Sequence, residues 1–530
     1  MRKTLAIALA MALIVPGSAS AELFNNLKLS GQLDWQHLSG RNITDFQTGP
    51  HTCTTCTGAV NGALNGNDRI SGSLTRVLLN LEWDVLDDVH SQVTIRKNDR
   101  AWSGPGGNVG DQGGGAGVAG GQPLQGSAGT GVADQTYVQR VNIKIDKMFG
   151  HFDMTMGRQY YGEPGDLIMY FGPVDTYGLW VTSLDAFRLD TENDWMTFTG
   201  LAGTTARGSA SLAALPDNNT HIRGFDIGWK NLPLKVSTFI WNRLTQATAG
   251  LGQAAQITDG SGTSLNGLND NLYVYGVKLR GEAAGGWLSV DLAANGGRDS
   301  LSGPANATAA GDGCPQEGCY AGTASYTGYG ALLDVGYNAE VANVGGFTPW
   351  GTFGYGSGRA SNQENTNETF TTPMSDFRPG VINRRFPGTI SSVALGSAYT
   401  NASNGATGVG TRGLGNRVVW GLGLNYTPAF EDRMTWGLSF WDFRFQRSTD
   451  LLAGKNAEPA NSGNKHIGSE FGITSEWRHS ENVTMGLGWA TFQPGGFIKE
   501  EMEDTPTVPI NLGSGSSPAQ LWFADLTVKF

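Results

Sequence analysis

Apolar and polar side chains alternate along many segments of this chain, each about ten residues long, and polar connections rich in Gly, Asn and Ser follow them. Within 74–86, for example, Val77, Leu79, Leu81, Trp83 and Val85 share one parity. Successive side chains of a strand point to opposite faces. The pattern therefore predicts strands with one apolar and one polar face.

Eighteen such segments can be laid out, and the pattern predicts an all-β protein. The predicted strands span 27–38, 74–86, 91–100, 135–147, 151–160, 181–190, 194–203, 221–230, 234–243, 271–281, 286–296, 327–338, 347–357, 417–427, 433–446, 468–478, 482–492 and 520–530. The connections after even-numbered strands are short, and most of those after odd-numbered strands are long. Outer-membrane barrels show this asymmetry between short periplasmic turns and long extracellular loops. We therefore predict a transmembrane antiparallel β-barrel of about 18 strands.

The two ends of the chain agree with this prediction. Residues 1–21 carry two positive charges, an apolar run and the small-residue pattern Ala19-Ser20-Ala21, which indicates a secretory signal. Residues 22–530 then form a single barrel domain. The last strand has Trp522, Ala524, Leu526, Val528 and Phe530 on one parity and resembles the C-terminal insertion signal of bacterial outer-membrane proteins. The resemblance implies the outer membrane of a Gram-negative-type bacterium, with its lipid and lipopolysaccharide, as surroundings and the barrel-assembly machinery as a partner through Phe530.

Composition narrows the function classes. Of the 530 residues, 78 are glycine and only 16% are charged, and no apolar stretch after residue 21 is long enough to span a bilayer as a helix. The net charge of −11 argues against a nucleic-acid binder, which would show a basic patch. A secreted β-sandwich or β-helix is the competing fold, although a sandwich rarely needs so many strands without a break.

Four cysteines form two closely spaced pairs, Cys53 with Cys56 and Cys314 with Cys319. Such pairs could bind zinc, but disulfides persist in the compartment of an exported protein. We predict disulfides, with the pairing open and no metal site.

If the apolar parity faces lipid, the other parity lines the lumen, because a charge on the lipid face costs about 2–4 kcal/mol near the midplane. The predicted pore-lining residues are Arg76, Glu82, Arg96, Arg140, Lys144, Arg158, Asp185, Arg188, Lys278, Arg280 and Arg444. Arg76, Arg96, Arg140, Lys144 and Arg158 lie on four adjacent strands and would form one cationic wall.

Two of these residues break the parity. Arg158 shares the parity of Met154 and Met156, so we expect a bulge at Gly157 to turn it inward. One extra residue near Phe440 would similarly send Asp442 and Arg444 inward.

The stretch from Met154 to Gly203 resembles the alginate-export family of outer-membrane barrels. The family pattern has a strand that ends in Gly-Arg-Gln, then a loop, then a strand with an aromatic-Asp pair and an Arg. Gly157, Arg158, Gln159, Asp185 and Arg188 match it. The resemblance implies an eighteen-stranded barrel whose arginine-rich constriction conducts a polyanionic polysaccharide.

These observations favour a porin for passive diffusion of small hydrophilic or anionic solutes. A selective alginate-export-like channel for an anionic polysaccharide or oligosaccharide and a structural surface barrel are the alternatives. Loop 358–416 could fold in as a constriction or remain outside. Because the sequence has no G-x-S-x-G or H-E-x-x-H motif, we predict no enzymatic activity and no cofactor.

Overall fold

The computed structural model describes residues 26–43, 69–99, 136–175, 179, 181–205, 220–245, 270–299, 324–358, 366–385, 413–447, 464–501 and 517–530. The predicted signal at 1–21, the four cysteines and the glycine-rich stretch 104–121 lie outside these residues.

The described residues form one sheet. Its strands are β1 (Lys28–Arg41), β2 (Arg69–Leu86), β3 (Val89–Asp99), β4 (Thr136–Met148), β5 (Phe152–Gln159), β6 (Leu184–Glu192), β7 (Met196–Thr205), β8 (Thr220–Trp229), β9 (Lys235–Thr245), β10 (Asp270–Ala283), β11 (Gly286–Asp299), β12 (Ala324–Tyr326), β13 (Tyr329–Tyr337), β14 (Ala339–Val341), β15 (Gly345–Gly356), β16 (Thr366–Asn367), β17 (Arg417–Pro428), β18 (Met434–Phe445), β19 (His466–Ser480), β20 (Val483–Pro494) and β21 (Ala519–Lys529). Two short helices are α1 (Ile382–Arg385) and α2 (Gly496–Glu501).

Eighteen of these strands form a closed antiparallel barrel, and β12, β14 and β16 are short additions. Each wall strand pairs with its neighbours along the chain, and β1 pairs with both β2 and β21. The predicted all-β antiparallel barrel of 18 strands is therefore confirmed. Among the described residues, no helix is long and apolar enough to cross a bilayer.

The two rims of the barrel differ. Turns such as 87–88, 149–151 and 481–482 join strands at one end, which we call the short-turn rim. Connections such as 160–183 and 357–416 join strands at the other end, the long-loop rim. This alternation agrees with the predicted asymmetry.

The outer face carries the predicted apolar parity. Leu422 on β17, Leu487 on β20 and Trp522 on β21 are 57%, 58% and 62% exposed, although all three are large and apolar. A soluble monomer rarely exposes so continuous an apolar surface.

The barrel closes at a seam between the first and last strands. The Phe530 N–H donates to the Gly31 carbonyl (3.0 Å), and the Gly31 N–H donates to the Phe530 carbonyl (2.7 Å). A Cβ on Gly31 would lie 2.4 Å from the Phe530 ring and 2.9 Å from the Leu78 carbonyl oxygen. Glycine at 31 therefore leaves the space that the terminal ring occupies.

The inner face is less uniformly polar than predicted. Towards the long-loop rim, Leu184, Leu201, Ile222, Trp241 and Leu272 point inward and are buried. They share one cluster with apolar residues of two inward-folded segments, namely Leu167, Ile168, Met169, Phe171, Phe370, Met374 and Phe377. This part of the barrel is thus a packed core.

We predict that Gly31→Val destabilises the barrel by about 1–3 kcal/mol, because the added methyl groups overpack the seam. The midpoint of denaturant-induced unfolding in detergent measures the effect. Gly346→Val is the matched control, because a Cβ there meets only the Thr427 Cβ, at 4.0 Å. Equal midpoints for the two variants would contradict the assigned role of Gly31.

Candidate functional site

The inner wall of β2–β4 carries a row of cations. Arg76 is buried and its guanidinium forms an ion pair with Asp34 (2.7 Å). It also donates to the carbonyls of Val174 (2.8 Å) and Leu179 (3.2 Å), which belong to the connection between β5 and β6. Arg76 therefore faces inward, as the sequence predicts, and fastens a loop to the wall.

Arg96 and Arg140 are held by aromatic rings. The Arg96 guanidinium lies 4.8 Å from the centre of the Tyr137 ring, and the Arg140 guanidinium lies 4.8 Å from that of Tyr160. Arg140 donates to the hydroxyl of Thr94 (2.7 Å), while Arg96 is only 2% exposed and its Nε and Nη1 have no hydrogen-bond partner among the described residues. Within the described part of the chain neither arginine forms an ion pair with a carboxylate, so neither positive charge is compensated by direct contact, although Glu82 borders the same cavity as Arg140.

Charges of both signs mix towards the short-turn rim. Lys144 contacts Asp146 (2.6 Å) and Asp153 (3.1 Å). The two ring nitrogens of His90 lie 2.6 Å from Asp84 and 3.0 Å from Asp146. An ionised carboxylate can only accept a hydrogen bond, so both ring nitrogens must carry a hydrogen for both contacts to be hydrogen bonds. This geometry therefore suits the protonated imidazolium.

These side chains border a cavity of 1560 Å³. Arg140, Lys144 and Arg188 line it together with Glu82 and Asp190. The cavity is large enough for many waters and a small solute.

Three further predicted cations also face inward. Arg188 pairs with Asp190 (2.8 Å), and Arg280 pairs with the buried Asp291 (2.6 Å). Lys278 forms an ion pair with Asp166, which lies in the connection between β5 and β6. All three therefore have acidic partners.

Two segments fold into the lumen from the long-loop rim: inner loop A (residues 160–175, 179 and 181–183) and inner loop B (residues 366–385). Backbone hydrogen bonds join them, since the Tyr170 N–H donates to the Met374 carbonyl and the Asp376 N–H donates to the Asp166 carbonyl, both at 2.8 Å. The described part of loop 358–416 thus takes the folded-in position, which sequence reasoning left open.

The inner loops meet at an arginine cluster around Asp175. The Asp175 carboxylate contacts Arg378 (3.0 Å) and Arg384 (2.7 Å). Arg385 donates to the Asp175 carbonyl (3.2 Å) and pairs with Asp525 on β21. Burial alone would raise the pKa of Asp175, but the three arginines outweigh it and hold that pKa well below its usual range.

Inner loop B is also fixed to a second wall strand. Glu470 on β19 is fully buried, and its carboxylate accepts from the backbone N–H groups of Val381 and Ile382. The loop is therefore held between two wall strands, β19 and β21.

Arg158 and Asp185 do not line the lumen. The register of β4, β5 and β6 runs without a shift through Gly157 and pairs Arg158 with Val141 and with Asp185. Val141 is an exposed outer-face residue, so Arg158 and Asp185 lie on the outer face, where they form a bidentate ion pair (2.7 and 3.0 Å). The predicted bulge at Gly157 was wrong, because direct pairing compensates the charge without it.

Arg444 is also an outer-face residue. β17 and β18 pair without a shift from Phe440 to Phe445, so Trp441 and Phe443 point inward and Arg444 points outward. Arg444 pairs with Asp442 (2.7 Å), and its side chain is 55% exposed. The predicted extra residue near Phe440 was wrong, because the aromatic residues pack against the interior.

Ser469, His466 and Asp442 lie close together in the described part of the chain, but their geometry does not suit a catalytic triad. His466 Nε2 lies 2.9 Å from Asp442 and 3.3 Å from Ser469. A proton relay needs the two partners on different ring nitrogens. Within the described ranges, no group of three or more His, Cys, Asp or Glu is arranged to bind a metal ion.

Sequence reasoning placed Glu470 on the lumen face by parity, but it did not place Asp34 or Asp175 in the site, nor did it include Arg378, Arg384 and Arg385 among the pore-lining residues. The three arginines do stand out as a basic group in the longest connection, 357–416. Of their acidic partners, Asp525 lies on the lumen parity of the last strand, whereas Asp175 lies in a connection where parity gives no signal.

Comparison with known proteins supports the fold. The crystal structure of Pseudomonas aeruginosa OccK9 (OpdG) is similar, with 9% identity, a TM-score of 0.51, and coverage of 96% of this chain and 99% of that one. P. aeruginosa OpdQ matches with 9% identity, a TM-score of 0.49 and the same coverage of both chains. No protein-family model matches the chain, and no curated protein matches it.

We predict that Asp175→Asn loosens inner loop B by about 1–2 kcal/mol near neutral pH, because Arg378 and Arg384 lose their shared carboxylate. Amide hydrogen exchange of residues 378–385 measures the effect. The folded-state pKa is depressed, so the stabilisation is present above the unfolded value of about 3.9 and is lost as pH falls below it. The exchange protection of residues 378–385 in wild type and in Asp175→Asn should therefore become equal in acid.

Glu340→Gln, which removes an exposed carboxylate from β14, is the control and should leave this exchange unchanged. Equal protection of residues 378–385 in wild type and Asp175→Asn at pH 7 would show that the cluster does not hold the loop.

Proposed function

We propose that this chain is an outer-membrane channel for passive diffusion of small hydrophilic solutes, with a preference for anions. The observation that carries the proposal is the opposite character of the two faces of a closed wall. Leu422, Leu487 and Trp522 expose apolar surface outside, whereas Arg140 and Lys144 border a wide cavity inside. Because the barrel is closed, the backbone N–H and C=O groups of its strands find hydrogen-bond partners within the sheet, as a structure that spans lipid requires.

The distribution of partners supports the anion preference. Arg188, Lys278 and Arg280 are each offset by a neighbouring carboxylate. Arg96 and Arg140 are held by rings and neutral groups instead. The uncompensated field therefore comes from the β3–β4 wall, and it would raise the local concentration of anions beside it.

A selective channel for an anionic polysaccharide or oligosaccharide, of the alginate-export kind, is the second candidate. Arg158 and Asp185, which the resemblance assigns to its constriction, face outward and cannot contact a solute in the lumen. Arg378, Arg384 and Arg385 on inner loop B are the arginines that favour this candidate, because they cluster inside the barrel.

Surroundings and assembly follow from the same proposal. The apolar outer face suits outer-membrane lipid and lipopolysaccharide. The terminal strand with Phe530 suits recognition by the barrel-assembly machinery before it closes on β1. No step of the proposed function needs a catalytic group or a cofactor.

We predict that Arg140→Gln lowers the anion-to-cation permeability ratio severalfold, because it removes an uncompensated lumen charge. Reversal potentials of single channels in planar bilayers under a salt gradient measure the ratio. Arg444→Gln is the matched control, because the same charge is removed from the outer face.

An equal shift in both variants would contradict the assignment of Arg140 to the conducting path. Failure of the wild-type protein to conduct at all, when inserted and folded, would refute the channel and leave a structural surface barrel.

A further inference from the structure

A group of polar side chains lies on the outer face of β5–β9, on the side that should meet lipid. We call it the outer polar patch, and it consists of Arg158, Asp185, Thr204, His221, Arg223 and Asn242. The strand register places these residues on the same face as the exposed Met156, Phe187 and Phe225. The patch therefore interrupts an otherwise apolar belt.

Arg223 lies deep within this belt. It is six residues along β8 from Trp229, an exposed aromatic residue next to the short-turn rim. With a rise of about 3.3 Å per residue and a strand tilt of about 40°, its Cα lies about 15 Å above Trp229. The apolar belt of such a barrel is about 25 Å tall. The Cα of Arg223 thus lies roughly 10 Å from the edge of the belt that is nearer the long-loop rim.

No carboxylate among the described residues pairs with Arg223. Arg223 is exposed, and its Nε donates to the amide oxygen of Asn242 (3.0 Å). On the far side of the barrel, the outward Asp442 is only 4% exposed and contacts Arg444, His466 and Ser469. The polar cluster on β18–β19 is thus satisfied within the chain, whereas the exposed Arg223 has a neutral partner among the described residues.

A lipid headgroup is a poor match for Arg223, because headgroups lie above the belt and not within it. A second protein surface can supply acceptors at that depth. The neighbouring strand also permits close approach, since Gly200 and Ala202 are the outward residues of β7 that pair with Phe225 and Arg223. Small residues let two walls come into contact in a membrane.

The patch is self-complementary. Asp185 keeps 47% of its side chain exposed despite its pairing with Arg158, so each patch offers both a carboxylate and a guanidinium. Five strands about 4.8 Å apart over a belt about 25 Å tall give roughly 600 Å² per copy. Two copies together would bury at most about 1,200 Å², which is the lower limit of stable interfaces.

We propose that the outer face of β5–β9 is the contact surface of a two-fold dimer of this chain. One patch meets the same patch of the other copy, since a single self-complementary surface closes as a dimer. The inference rests on the proposed membrane location, but not on the solute.

Photo-crosslinking in outer membranes tests the proposal. Benzoylphenylalanine replaces Ala202, which pairs with Arg223 of the patch, or, as the matched control, Leu422 on β17, which is also exposed on the outer face. We expect a covalent dimer from position 202 and none from position 422. No adduct at 202, an adduct with lipopolysaccharide there, or equal dimer yields at both positions would overturn the proposal.

Sedimentation of the purified protein in detergent gives a second measurement. Arg223→Gln should weaken dimerisation at least tenfold, while Arg444→Gln should leave it unchanged. Equal dimerisation by both variants would overturn the assigned contact. Absence of the chain from the membrane fraction would refute the channel proposal as well, whereas a membrane-embedded monomer refutes only the dimer.

Discussion

The hydrogen bonding of the backbone is the constraint on which the rest of this structure depends. An N–H or C=O group left without a partner in hydrocarbon costs several kcal/mol, so a sheet that crosses a membrane has to close on itself. Here closure depends on the pairing of β1 with β21, which runs from Gln32 with Lys529 to Arg41 with Gln520. Once the ring is closed, every wall residue has only two directions, outward or inward. The parity of a residue then decides whether it meets lipid or lumen.

Parity explains how much of the fold is visible in the sequence. Each of the 18 predicted strands corresponds to a wall strand, with boundaries that differ by at most five residues. The apolar stripes of β2 and β21 were enough to assign their faces, because the lipid side tolerates few polar side chains. The three short strands were not predicted, since two or three residues cannot show an alternation.

Parity fails where a charge is compensated on the outer face. Sequence reasoning moved Arg158 and Arg444 inward through bulges, because a lone arginine in lipid is costly. The structure keeps both outside and pairs each with an aspartate, Asp185 or Asp442. Register shifts do occur in the wall, between Thr94 and Ile95 and, in the pairing of β18 with β19, between Phe443 and Arg444. The second shift leaves Arg444 on the outer face, because β18 keeps its register with β17. A pattern along one strand cannot reveal a partner on the next strand.

The interior illustrates a second limit, because its important contacts are distant in sequence. Asp175 and Arg384 are 209 residues apart, so neither predicts the other. Their pairing has a functional consequence, since an arginine that shares a carboxylate fixes a loop and contributes little net field. The arginines that stack on Tyr137 and Tyr160 keep their charge, because a ring orients a guanidinium without neutralising it. Within the described lumen, the type of partner, and not the number of arginines, therefore separates those that hold the loops from those that can attract an anion.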